Sequence, residues 1–319
     1  MAFRWGSFFS FTVHIIASTC DNFVTQRNAG HECGGNILKI SHEKRQHLFI
    51  TYVMHLTMHN EWCIINIPQK KRKGEREMYC TEYGRENKKT IVMLHGANFV
   101  HSFMKQYELA DRYHLVIPHL MGFGNEADKT FDAEKQVGAL TELISEIGRK
   151  VTLVGFSLGA QVGYKLAAEH PELFNGAVLV SPWLCKDKTS LEQVMKANEK
   201  QYASFKKKWL CSFIGKMNGL SKEQRAEFVE QMQRVSIDTI RNSVDNGITL
   251  DSVHGFGNVD FPVIALCGGK EQDIVKNSIK GMSEQNPAHC TYEIWEKASH
   301  NIPPLYAEKF NEVICKLAK

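Results

Sequence analysis

The run Gly155-Phe156-Ser157-Leu158-Gly159 sets a serine hydroxyl between two glycines, after the strand-like Val151–Val154 and before the helix-like Leu158–Glu169. The pentapeptide alone is a weak signal, and its place between a strand and a helix gives it meaning. A serine on so tight a turn takes a strained backbone. Glycines two residues to either side let strand and helix approach without side-chain clashes. Ala160 and Gly163 continue the small surface that the helix needs there. The turn lifts the Ser157 hydroxyl clear of the strands, and the helix N-terminus directs its positive end at developing negative charge. The chemistry so prepared is nucleophilic attack on an acyl carbonyl, with the Leu158 backbone N–H available to an oxyanion.

The elements that would position this serine are legible from Met78 onward. Strand-like runs at Thr90–Leu94, Leu115–Pro118, Val151–Gly155, Gly176–Val180, Pro262–Cys267 and Thr291–Trp295 alternate with helix-like ones. The helix-like runs are Phe103–Tyr113, Phe131–Ile147, Leu158–Glu169, Ile274–Met282 and Leu305–Leu317. Continuous Val/Ile/Leu strands separated by amphipathic helices predict an α/β domain: a mostly parallel, doubly wound sheet with helices on both faces. Residues 183–255 break the alternation with helical segments alone, such as Leu191–Ile214 and Lys222–Val244. They read as a helical lid inserted over the carboxyl edge of the sheet. Trp183, Met195, Tyr202, Phe205, Trp209 and Phe213 either line an apolar acyl pocket or form the lid's own core. The run Lys206-Lys207-Lys208 reads as a solvated face.

With Leu94-His95-Gly96, the Gly155–Gly159 turn, Pro262–Val275 and Ala298-Ser299-His300 in this order, residues 78–319 resemble the compact serine hydrolases of the α/β-hydrolase fold superfamily. The resemblance implies a triad in the order nucleophile, acid, histidine. His300, on the loop between the last strand and the last helix, takes the place of the general base. His289 precedes that strand and falls at the opposite edge, and His95 is expected to be structural. Aligned on the family's strand, Pro262–Gly268 leaves Glu271 at the acid position, with Asp273 two residues on as the alternative and Asp187 as a remoter one. The resemblance also implies that Ala97, after His95-Gly96, supplies a second oxyanion donor beside Leu158. The reaction expected is cleavage of a carboxylic ester or thioester through an acyl-enzyme on Ser157, with no metal and no organic cofactor. Acyl transfer, amide cleavage or carbon–carbon bond hydrolysis by the same triad, and a non-catalytic binding protein, are the competing outcomes.

Composition bounds these readings. The chain has 319 residues, 43% of them hydrophobic and 23% charged, which excludes a disordered or collagen-like polymer. Residues 1–77 hold 10 Lys and Arg against 6 Asp and Glu, which accounts for the whole formal charge of +4. The balanced remainder argues against nucleic acid as partner, and the resemblance implies a small acyl substrate. No apolar run approaches the ~20 residues that span a bilayer, so no stable membrane insertion is expected. Nine scattered cysteines without a CxxC pair read as free thiols of a cytoplasmic protein. The start, Met1 to Thr19, has Arg4 and a short apolar stretch, but His14 interrupts it and no A-x-A site follows. Residues 1–77 are therefore expected to be an extension without catalytic role, either disordered or translated from an upstream start that cells do not use. Lys70-Lys71-Arg72-Lys73 reads as a solvated linker, and Cys20, His31 and Cys33 match no metal-site spacing. The sequence carries no signal for oligomeric state.

Overall fold

Residues 90–94 read Thr-Ile-Val-Met-Leu, and all five are buried. Alternate side chains face opposite ways: Val92 and Leu94 enter one apolar cluster, Ile91 and Met93 another. A strand that is apolar on both faces requires cover on both faces, and the rest of the fold provides it.

The computed structural model describes residues 78–318, together with the backbones of two earlier strands. These strands, β1 (Thr51–Leu56) and β2 (Glu61–Asn66), pair antiparallel with Thr51 opposite Asn66, in a unit separate from the large sheet. The signal-like start, the Cys20/His31/Cys33 set and the Lys70–Lys73 run lie outside the described residues.

The large sheet has seven strands: β3 (Cys80–Tyr83), β4 (Thr90–Leu94), β5 (His114–Pro118), β6 (Val151–Phe156), β7 (Phe174–Val180), β8 (Val263–Gly268) and β9 (Cys290–Trp295). Their order is β3-β5-β4-β6-β7-β8-β9, with β3 antiparallel to β5 and every other pair parallel. One face is covered by α1 (Ala133–Ile147), α2 (Leu158–Glu169) and α7 (Asp273–Gln285), through Leu140, Val162 and Ile279 among others. The other is covered by α9 (Ala307–Leu317) and the 103–113 segment, through Phe310, Val313, Phe103 and Leu109. This is the mostly parallel, doubly wound α/β sheet that the alternation predicts. Its central strands end their carboxyl ends on one edge, where loops can converge on a ligand.

Two details differ from expectation. The short edge strand β3 lacks a long apolar run and escapes a hydrophobicity reading. The segment Phe103–Tyr113 is a chain of tight turns ending in a short 3-10 helix at Tyr107–Asp111 rather than an α-helix. Most of its backbone bonds run three residues back and not four, as from Gln106 N–H to the Phe103 carbonyl and from Leu109 N–H to the Gln106 carbonyl. The last helix is split as well: Pro303 and Pro304 confine α8 to Ile302–Leu305 before α9 begins.

Four helices fill the interval between β7 and β8: α3 (Lys188–Phe205), α4 (Lys208–Met217), α5 (Lys222–Arg234) and α6 (Ile237–Val244). Phe205 of α3 meets Phe228 of α5 edge to face at 5.8 Å, and Phe228 meets Phe99 at 5.5 Å, so the insertion rests on the loop that follows β4. Among the described residues no helix is long and apolar enough to cross a membrane.

Candidate active site

Ser157 occupies the one-residue turn between β6 and α2, with φ 53° and ψ −114°. A non-glycine residue there carries backbone strain of about 1–3 kcal/mol, retained only where the surroundings enforce it. The enforcement is steric. A Cβ at Gly155 would stand 2.6 Å from the Gly159 carbonyl oxygen, and one at Gly159 would stand 2.0 Å from that of Leu94. Strand β6, helix α2 and the end of β4 can meet only with bare backbone at both positions. Ser157 N–H donates to the Val180 carbonyl at 2.8 Å, which ties the turn to β7.

The side chains around Ser157 form a connected chain. Ser157 Oγ lies 3.1 Å from His300 Nε2, and His300 Nδ1 lies 2.6 Å from Glu271 Oε2. The other carboxylate oxygen of Glu271 accepts from Ser181 Oγ at 2.6 Å and from the Gly268 N–H at 2.8 Å. Burial of Glu271 raises the cost of its charge. The hydrogen bond and charge of His300, with the Ser181 and Gly268 donors, outweigh that cost and hold the carboxyl below its usual range. The imidazole of His300 is half exposed and its ring lies 5.0 Å from that of Phe156.

The residues proposed from sequence are thus separated by position. Asp273 opens α7, with its carboxylate 87% exposed and paired with Lys276 at 3.2 Å, away from His300. Asp187 is the N-cap of α3, accepting the Thr189 and Ser190 N–H groups. His289 is exposed at the opposite end of the sheet, where its carbonyl accepts from Val263 N–H at the start of β8. Among the described residues no group of three His, Cys, Asp or Glu side chains is arranged to hold a metal ion.

Leu158 is the first residue of α2, so its N–H has no partner within the helix. Gly96 packs against the elbow: a Cβ there would lie 3.5 Å from Ser157 Cβ, which brings the following Ala97 to the same corner. His95 holds this turn from beneath. Its Nε2 accepts the Leu120 N–H at 3.0 Å, so Nδ1 carries the proton and donates to the Gly96 carbonyl at 2.7 Å. Complete burial depresses its pKa to about 4 and keeps it neutral.

Sequence reasoning missed Ser181 and Gln106. Ser181 directly follows β7 at the carboxyl edge, which is the signal that it faces the site, and it too has a positive φ of 53°. Gln106 is fully buried and donates at 3.0 Å to the Pro303 carbonyl, bracing the short helix that follows His300. The lid side chains divide. Trp183 and Phe205 are buried and Tyr202 and Met195 half buried, but Trp209 and Phe213 are exposed and so do not form a core.

A serine elbow at the carboxyl edge of such a sheet defines a class, the enzymes with the α/β hydrolase fold. The chain belongs to that family: the family's sequence profile, described as the alpha/beta hydrolase fold, matches residues 89–302. Solved structures agree on the fold. An esterase from Exiguobacterium antarcticum superposes with a TM-score of 0.59 at 17% identity, over 76% of this chain and 95% of its own. A serine hydrolase from Cycloclasticus zankles gives 0.60 at 17%, over 76% and 94%. A bromoperoxidase from Bacillus anthracis gives 0.59 at 15%, over 75% and 94%. Among curated proteins no sequence matches this chain.

Proposed function

We propose that this protein is a serine hydrolase that cleaves a carboxylic ester or thioester through an acyl-enzyme on Ser157. The observation that carries the reading is the unbroken contact from Ser157 Oγ through His300 to the buried Glu271. His300 Nε2 takes the hydroxyl proton as Oγ attacks the acyl carbon. Glu271 holds Nδ1–H and stabilises the imidazolium that forms. The N–H groups of Leu158 and Ala97 receive the oxyanion, each such donor lowering the barrier by about 3 kcal/mol. The imidazolium returns its proton to the leaving group, and a water activated by the same nitrogen then releases the acid. No step calls for a metal or an organic cofactor. A serine at position 157 sets this chain apart from relatives that open epoxides with an aspartate nucleophile. A cytoplasmic setting is supported by Cys185, Cys211, Cys267, Cys290 and Cys315, which stand as free thiols.

The test is turnover of p-nitrophenyl acetate and butyrate by the native protein and by Ser157→Ala, with fluorophosphonate labelling of both. Turnover and labelling that disappear together in the variant support the reading. Labelling without turnover points to an acyl acceptor other than water, and absence of both in folded protein to a binding role.

A further inference from the structure

Helix α4 of the lid carries Trp209, Phe213 and Met217, one turn apart from each other, and they are 71%, 55% and 72% exposed. The opposite side of the helix buries Cys211 and Gly215, so the exposed stripe is the outer face of a packed helix. Isolated exposed apolar residues are ordinary; three aligned on one short helix are not. The charge along this stretch of chain is one-sided as far as Glu223. Residues 206–222 contain five lysines and no Asp or Glu. Lys206 turns inward, where its Nζ donates to the carbonyls of Met232, Gln233 and Val235. Lys207, Lys208 and Lys216 remain exposed at the two ends of the helix, and Lys222 at the start of α5.

We propose that this face docks peripherally on an anionic lipid surface. Trp209, Phe213 and Met217 would enter the headgroup boundary, and the four lysines would pair with lipid phosphates and carboxylates. A second copy of the chain fits the face less well. Two such faces would oppose lysine to lysine, and three side chains of at most ~250 Å² each fall short of the ~800 Å² per partner of a stable protein interface. Docking needs no membrane-spanning helix, and it brings a particular region to the lipid. The turn after α4 reaches the loop that follows β4: a Cβ at Gly219 would meet Met104 Cε at 3.5 Å. That loop begins at His95 and carries Ala97, so the lid would meet the surface beside the elbow. The inference does not depend on the hydrolase reading.

Flotation of the full chain with phosphatidylcholine vesicles, with and without phosphatidylserine, tests it. The native protein and Ser157→Ala are expected to float equally with the anionic vesicles and poorly with the neutral ones. The triple variant Trp209→Ser, Phe213→Ser, Met217→Ser and the double variant Lys207→Glu, Lys208→Glu should each lose about tenfold in partitioning. All five positions are exposed, so circular dichroism and the melting midpoint should match the native protein, as should turnover of a soluble ester. Undiminished flotation of the triple variant would assign the lipid contact elsewhere, such as the basic Lys70–Lys73 run, and overturn the proposal. So would a native protein that does not float, or a dimer in sedimentation velocity that the triple variant dissolves.

Discussion

Ser181 Oγ donates to Glu271 Oε1 at 2.6 Å, from the end of one strand to the loop beyond the next. With one oxygen held by Ser181 and by the Gly268 N–H, the carboxylate has a single orientation, and its other oxygen meets His300. In the proposed reaction Ser181 would act through Glu271 and not on the reacting atoms themselves. Replacing it with alanine should lower kcat by about tenfold while KM stays nearly constant, the loss of one hydrogen bond to a charged group. A change confined to KM would show that Ser181 contacts substrate instead.

Glu271→Gln keeps the side chain's shape and removes its charge. Turnover of p-nitrophenyl butyrate should fall by ~100- to 10,000-fold, because the imidazolium formed during attack loses its counter-charge. Asp273→Asn removes an exposed ion pair with Lys276 and should change turnover by less than about twofold. Comparable losses in the two variants would contradict the placement of the acid.

The backbone at Ser157 stores strain that glycine would not feel. Ser157→Gly should abolish turnover and raise stability by about 1 kcal/mol, visible as a melting midpoint a few degrees higher. An unchanged or lower midpoint in calorimetry would show that the hydroxyl's bond to His300 outweighs the strain.

Burial lowers His95 to a pKa of about 4. Burial, together with the nearby His95 and His101, lowers His119 to about 3. Both therefore fold neutral, while in the unfolded chain they titrate near 6.5. For groups with a depressed folded pKa the stabilisation is complete above 6.5 and is lost as the pH falls toward the folded values. Each histidine then contributes a slope of about 1.4 kcal/mol per pH unit. Urea unfolding between pH 7 and 5 should show stability falling, and His95→Asn should reduce the slope by about that amount. An identical slope in the variant would mean that His95 charges within the fold.

Much of this protein is legible without coordinates because the relevant constraints are local. A serine between Gly155 and Gly159, flanked by an apolar strand and a helix, is dictated by sterics within a few residues of chain. The strands β4, β5, β6, β7 and β8 were visible because parallel strands covered on both faces must be apolar throughout. The edge strand β3 and the turns of 103–113 follow no such period, since each buries only what its neighbours leave open.

Tertiary structure decided what depends on residues far apart in the chain. Glu271 and Asp273 are two residues apart and alike in charge, yet Ser181 and His300 converge on the first, while the second begins a helix and faces solvent. Trp209 and Phe213 show helical spacing that suits a core as well as a surface. Their exposure follows from which side of α4 packs on α5, and helical spacing alone does not choose the side. The sequence determined that a serine stands on a tight turn at a sheet edge; the packing of distant segments determined which side chains meet it and which face of α4 is exposed.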